Sequence, residues 1–172
     1  MGASRGWLGI IQGQKNWRQH FRLSVAGLLT ALIIFGLVAL MVTLLSTMGE
    51  AISETSIAGS VLVECSGLLA LVVTIVGVRL LGRRDLQPLT MIIPGIYAVT
   101  AYVLLRSIFA AISGPLAGLA LFGLGFLLYG LARQAARLNL IGAVAFAVLT
   151  LGLLVAMPAS LYMLTIPAHS SI

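Results

Sequence analysis

Five long apolar stretches divide the sequence, and they constrain its fold more than any other feature. They cover residues 23–48, 57–82, 88–110, 114–132 and 139–164. A helix needs about 20 apolar residues to span the hydrocarbon core of a bilayer, whereas strands of a membrane barrel are about ten residues of alternating polarity. The sequence therefore predicts an all-α integral membrane protein with five transmembrane helices and short loops.

The composition supports a membrane protein and excludes two other classes. Apolar residues make up 60% of the chain and charged residues 8%. Soluble domains are about 45–50% apolar and about 25% charged, and disordered chains combine low hydrophobicity with high charge. We expect one membrane domain over residues 23–164, preceded by a segment over 1–22 and followed by a short outer tail over 165–172.

The basic residues predict the orientation of the helices. With five spans and the N-terminus inside, nine of the ten Lys and Arg residues fall on one side of the membrane: Arg5, Lys15, Arg18, Arg22, Arg79, Arg83, Arg84, Arg133 and Arg137. Two acidic residues, Glu50 and Glu54, fall on the other side. Because cytoplasmic loops are enriched in Lys and Arg, we predict an N-inside, C-outside topology.

Residues 1–22 are basic and aromatic and contain both tryptophans of the chain. Tryptophan rings favour the headgroup level of a bilayer, and arginines favour anionic lipid. We interpret the segment as an interfacial anchor formed by Trp7, Trp17, Arg18 and Arg22. The alternative is a docking arm for a partner protein.

Glu64 is the only acidic residue inside a predicted span, and Arg106 is the only basic residue that does not fall on the inside. At a rise of 1.5 Å per residue, they lie roughly 10 Å and roughly 6 Å from the outer ends of the second and third spans. We predict that they pair. One alternative is a neutral Glu64 with Arg106 snorkelling to the outer headgroups, and another is an ion or proton pathway along a face that Glu64 shares with Ser60, Gly67 and Thr74.

Glycines and prolines mark predicted helix contacts and kinks. Gly114, Gly118 and Gly125 lie on nearly one helical stripe, which favours close helix packing in lipid, either within this chain or against a partner. Pro94-Gly95 in the third span and Pro158 in the fifth are predicted to kink their helices.

The sequence lacks the residue sets that known chemistries require. It has one cysteine and two histidines, His20 and His169, and neither histidine lies at mid-membrane depth. We find no metal-ligand set, haem-binding pair, catalytic motif or nucleic-acid module, and so predict no catalytic, cofactor or metal residues, no nucleic-acid partner and no enzyme. A bound lipid stays open as a ligand.

We therefore hypothesise a non-catalytic structural or accessory subunit of a larger membrane protein complex, whose partners are other subunits and the bilayer. The alternatives are a small oligomeric ion- or proton-coupled transporter or channel using Glu64, and a cofactor- or lipid-binding enzyme subunit. Arginine outnumbers lysine nine to one, which is typical of a GC-rich genome. We accordingly expect the bacterial inner membrane.

Overall fold

A computed structural model describes residues 2–46, 54–80 and 87–165 of the chain. Within these ranges all regular structure is helical. There are six α-helices: α1 Gly2–Ile11, α2 Val25–Ser46, α3 Glu54–Leu80, α4 Leu89–Ile112, α5 Ala117–Gln134 and α6 Leu140–Thr165. Two 3₁₀ turns, Lys15–His20 and Gly114–Leu116, precede α2 and α5.

Five segments are long and apolar enough to cross a membrane, in agreement with the predicted multi-pass all-α class: Val25–Ser46, Gly59–Leu80, Leu89–Ile112, Gly114–Gln134 and Leu140–Ser160. The helix bounds differ from the predicted ones by one to three residues, and most at the starts of α3 and α5. Helix α3 begins at Glu54, before the apolar run, and the fourth span begins as the 3₁₀ turn that contains Pro115. Predicted loop and tail positions at 47–53, 81–86 and 166–172 lie outside the described residues.

Helix α4 lies at the centre of the bundle. It contacts α2, α3 and α5, and α6 completes a ring by packing against α3 and α5. Helix α2 lies outside this ring, against α4 and α3. The central position of α4 explains why Met91, Ile93, Val99 and Val103 are almost fully buried.

Three threonines in the core satisfy their hydroxyl groups within their own helices. Thr74, Thr100 and Thr150 are buried, and each donates to the carbonyl four residues earlier at 2.8 Å. A hydroxyl that is bonded in this way can be buried at little cost. These threonines therefore add polar atoms to the core without requiring a polar neighbour.

Residues 2–21 fold into a structure that we call the N-terminal cap. Helix α1 contacts α4 and α5. Its Ile10 is buried beside Gly130 near the C-terminal end of α5. We call this end of the bundle proximal, and the opposite end, where α2 and α4 finish and α3 begins, distal.

Burial of the cap corrects the prediction for one tryptophan. Trp17 is only 3% exposed, so its ring lies in the protein interior rather than among lipid headgroups. It meets Phe21 edge-on at 6.1 Å between ring centroids, and Phe21 lies 6.1 Å from Tyr97 of α4. Trp7 is half-buried against the same core. This aromatic contact holds the segment on the bundle, whereas Arg18 and Arg22 stay exposed.

Candidate functional site

The distal half of the bundle brings Glu64 and Arg106 together. Glu64 lies on α3 and Arg106 on the neighbouring, antiparallel α4. The Nη2 of Arg106 donates to the Oε1 of Glu64, and the two side chains form an ion pair. The predicted contact is thus present. Glu64 is the more enclosed partner, with 10% of its side chain exposed against 34% for Arg106.

Tyr102 also contacts Arg106, from one turn earlier on α4. The guanidinium carbon lies 5.6 Å from the centroid of the tyrosine ring, within the range of a cation–π interaction. The i, i+4 spacing on a helix places the two side chains on one face. Arg106 is therefore oriented by a carboxylate from α3 and by an aromatic ring from its own helix.

A cavity of about 840 Å³ opens beside this ion pair. Residues from α2, α3, α4 and α6 form its walls: Val42, Thr43, Leu45, Ser46, Ser60, Val63, Glu64, Arg106, Ser107, Ile108, Ala110, Ala111 and Pro158. Ligand sites in proteins typically enclose about 300–1,000 Å³ and combine mostly apolar walls with a few polar groups. The volume and lining of this cavity, which we call the distal cavity, fit that description.

A second, smaller space of about 20 Å³ lies on the other side of the pair, between α3, α4 and α6. It is lined by Glu64, Gly67, Val99, Tyr102 and Leu154, among others. This volume is enough for about one water molecule. The Glu64 carboxylate thus lies between a narrow space toward the core and a wide cavity at the distal end.

The polar residues of the predicted face of α3 lie at different levels of the bundle. Ser60 lines the distal cavity, and Gly67 packs near Val99 and Leu154. Thr74, three turns beyond Glu64 in the direction of the proximal end, is buried and bonded to the carbonyl of Ala70. These residues share a helix face, but the polar groups near Glu64 belong to the distal end.

The three glycines of the predicted stripe also differ in their surroundings. A Cβ added to Gly125 would lie 2.9 Å from Leu151 Cδ1, so Gly125 is a contact between α5 and α6. Gly114 belongs to the 3₁₀ turn rather than to α5. At Gly114 and Gly118 an added Cβ would meet no atom of the described chain within 4 Å. Packing inside this chain therefore uses Gly125 and leaves Gly114 and Gly118 open.

The two predicted kink sites lie inside helices α4 and α6. Pro94 and Gly95 are buried at the centre of α4, where a Cβ on Gly95 would lie 2.7 Å from Leu71 Cδ2. Gly95 therefore permits close approach of α3. Pro158 of α6 lines the distal cavity.

Sequence reasoning missed the distal cavity itself. Thr43 and Ser46 come from α2, whose position against α3 and α4 is a tertiary feature. One feature of the sequence could have indicated it. These two residues and Ser107 lie near the predicted outer ends of their spans, as Glu64 and Arg106 do. Within the described ranges, no group of three or more His, Cys, Asp or Glu side chains is placed to hold a metal ion.

No protein-family model matches the chain, and no curated protein or solved structure is significantly similar to it.

Proposed function

We propose that this protein is a non-catalytic subunit of a larger membrane protein complex, and that it contacts its partner through the outer face of α5. The observation that carries the proposal is that an open glycine lies at each edge of this exposed face, because Gly118 and Gly123 are about 140° apart around the helix. Neither Gly118 nor Gly123 would bring an added Cβ within 4 Å of any atom in the described part of the chain.

The energetics of glycine make these open positions informative. Glycine inside a helix costs about 1 kcal/mol relative to alanine. Helices in lipid gain stability when small residues let their backbones approach closely, as Gly125 does against Leu151. Gly118 and Gly123 gain no such packing from the described part of this chain. We therefore infer that a partner helix packs against them.

Two large rings lie between these glycines around the helix. Phe122 is 78% exposed and Phe126 is 60% exposed. Because Gly118, Phe122 and Phe126 are spaced by four residues, they line one side of α5. Exposed rings beside open glycines give ridges and grooves into which the side chains of a second helix can pack.

We further propose that the proximal end faces the cytoplasm, in the bacterial inner membrane. The described basic residues support this orientation, because those at the proximal end outnumber Arg106 at the distal end: Arg5, Arg18, Arg22, Arg79, Arg133 and Arg137. Such an excess is typical of the cytoplasmic side. C-terminal fusions to alkaline phosphatase and to green fluorescent protein test this orientation. Activity of the phosphatase fusion alone is expected, whereas fluorescence alone would reverse it.

The subunit proposal is tested by purifying the tagged chain from its native membrane in a mild detergent. Native mass spectrometry should show stoichiometric association with other membrane proteins. Gly118→Leu/Gly123→Leu should abolish that association without lowering the melting temperature of the isolated chain, because both positions are open and leucine is the better helix former. Gly36→Leu is the matched control, since Gly36 on α2 is also open but has no exposed aromatic ring beside it.

Two results would contradict the proposal. The wild-type chain would emerge alone or only as a homo-oligomer, or the Gly118→Leu/Gly123→Leu variant would keep its partners. In the second case the outer face of α5 is not the contact surface.

A small oligomeric transporter or channel that uses Glu64 is the second candidate, and the distal cavity beside Glu64 favours it. A carboxylate within a membrane span is often part of an ion or proton pathway. Ion or proton flux into liposomes carrying the purified chain tests this function. Wild-type flux that is lost in Glu64→Gln supports it, and equal flux in empty liposomes rejects it.

A further inference from the structure

We propose that the distal cavity binds a phosphate headgroup, with Arg106 as the phosphate ligand, and that the phosphate belongs to a membrane lipid whose acyl chain follows the apolar walls. The proposal concerns the isolated chain and is independent of the subunit proposal. It rests on the exposure of Arg106, the lining of the cavity and the extent of the cavity toward the distal end.

The charge presented to the cavity favours an anion. Glu64 and Arg106 are both part of the lining, but the carboxylate is the more buried partner and the guanidinium the more exposed one. A guanidinium has five N–H donors, and the contact with Glu64 uses one nitrogen, Nη2. Planar donors on an arginine match phosphate oxygens, so Arg106 can bind phosphate and keep its ion pair.

Hydroxyl groups surround the same part of the cavity. Ser46 from α2 and Ser107 from α4 contribute hydroxyls to the lining beside Arg106. The Ser46 hydroxyl already donates to the carbonyl of Thr43 and retains its acceptor capacity, whereas a phosphate ester requires donors. Ser107 is therefore the hydroxyl that we assign as a second donor to phosphate.

The apolar lining favours a lipid over free phosphate. Val42, Leu45, Val63 and Ile108 cover much of the wall, and Leu45 and Ile108 are exposed at the surface of the bundle. A free phosphate ion gains nothing from such a surface. An acyl chain contacts it and remains continuous with the surrounding bilayer.

The distal cavity connects Arg106 with the level of the lipid headgroups. Helix α4 has 24 residues and ends six residues after Arg106, at Ile112. When this span is centred in a hydrocarbon core about 30 Å thick, the backbone of Arg106 lies about 9 Å from the midplane and about 6 Å inside the edge of the core. The lining continues from Arg106 past Ala110 and Ala111 toward the end of α4, so a headgroup phosphate that enters the cavity from the distal end can reach the guanidinium.

The test measures lipid binding to the purified full chain by native mass spectrometry in a neutral detergent. The probes are dioleoyl-phosphatidylglycerol, dioleoylglycerol, which lacks the phosphate, and inorganic phosphate as a competitor. We expect saturable binding of the phospholipid, at least tenfold weaker binding of dioleoylglycerol, and no displacement by millimolar inorganic phosphate.

Variants locate the site. Glu64→Gln/Arg106→Gln removes both charges together, so that neither is left unpaired, and should weaken phospholipid binding at least tenfold. Ser107→Phe removes the assigned hydroxyl donor and narrows the cavity while keeping both charges, and should weaken binding in a fully folded chain. Arg133→Gln, at the proximal end, is the matched control and should bind like the wild type.

Three results would overturn the proposal. Equal binding of dioleoylglycerol would show an apolar site without phosphate recognition. Displacement by inorganic phosphate would assign the site to the free ion rather than to a lipid. Wild-type binding by both the Glu64→Gln/Arg106→Gln variant and Ser107→Phe would place the bound lipid elsewhere on the protein.

Discussion

The ion pair between Glu64 and Arg106 should stabilise the fold measurably, and the two single substitutions should have unequal effects. Arg106→Gln leaves the more enclosed carboxylate without its cationic partner. Glu64→Gln leaves a guanidinium that is 34% exposed and can turn toward the membrane surface. We therefore expect Arg106→Gln to destabilise the protein more than Glu64→Gln does.

The magnitudes follow from the burial of the pair. Removing one partner of a fully buried pair costs about 3–5 kcal/mol, and an exposed pair is worth about 0.2–1 kcal/mol. Because this pair is only partly exposed, we expect about 2.5 kcal/mol for Arg106→Gln and about 1 kcal/mol for Glu64→Gln. The double variant should lose about 2 kcal/mol, which gives a coupling energy of about 1.5 kcal/mol.

The assay is a double-mutant cycle on the free energy of unfolding. Helicity is followed by far-ultraviolet circular dichroism while the fraction of sodium dodecyl sulfate in mixed micelles is raised and then lowered again. Arg133→Gln serves as control, because Arg133 is exposed and donates to the carbonyl of Leu138 at 3.1 Å. It should change stability by less than about 0.5 kcal/mol.

Additive single effects would refute the reasoning. Substitutions without a shared interaction add within about 0.3–0.5 kcal/mol, so a smaller coupling would mean that the pair does not join α3 to α4. A larger loss for Glu64→Gln than for Arg106→Gln would contradict the assignment of the carboxylate as the enclosed partner.

Three further predictions concern the cap and the core. A Cβ on Gly6 would overlap the buried ring of Phe21, whose Cζ would lie 2.8 Å away, so Gly6→Ala should undock the N-terminal cap. Both tryptophans lie in the cap, and their fluorescence emission should shift to the red. Unchanged emission would contradict the contact. Phe146→Ala should cost about 3–5 kcal/mol in the same unfolding assay, because Phe146 is 2% exposed and its loss leaves a cavity. Phe122→Ala, the exposed control, should cost less than about 0.5 kcal/mol, and equal losses would reject the assigned burial. Thr150→Val should change the free energy of unfolding by less than about 1 kcal/mol, since the Thr150 hydroxyl donates to a carbonyl of its own helix. A larger loss would indicate a partner across the core.

The helices were predictable because their pattern is local. An apolar run of the right length is enough to identify a spanning helix, and the bounds of the five candidate spans lie within four residues of the predicted ones. The contact between Glu64 and Arg106 was predictable for a related reason. A helix converts sequence distance into depth at a fixed rise, so similar depths on consecutive helices indicate a pair.

The cap was not predictable, because burial of an aromatic ring is a tertiary property. Trp17 has the side chain of an interfacial anchor and the flanking charges that accompany one, yet its ring lies against Phe21 in the core. The glycine stripe shows the same limit. Gly118 and Gly125 are nearly aligned on α5, but α6 supplies Leu151 beside Gly125 and no side chain of the described chain beside Gly118.

The distal cavity depends on helices that are distant in sequence. Its walls come from α2, α3, α4 and α6, and no local pattern relates Val42 to Pro158. The closed pair between Glu64 and Arg106 affects which proposal for this cavity is favoured. Moving an ion through it would require the carboxylate to leave its partner, which costs the coupling energy of the pair, whereas holding a phosphate on the remaining guanidinium donors leaves the pair intact. The geometry therefore favours a cavity that holds a ligand over one that conducts an ion.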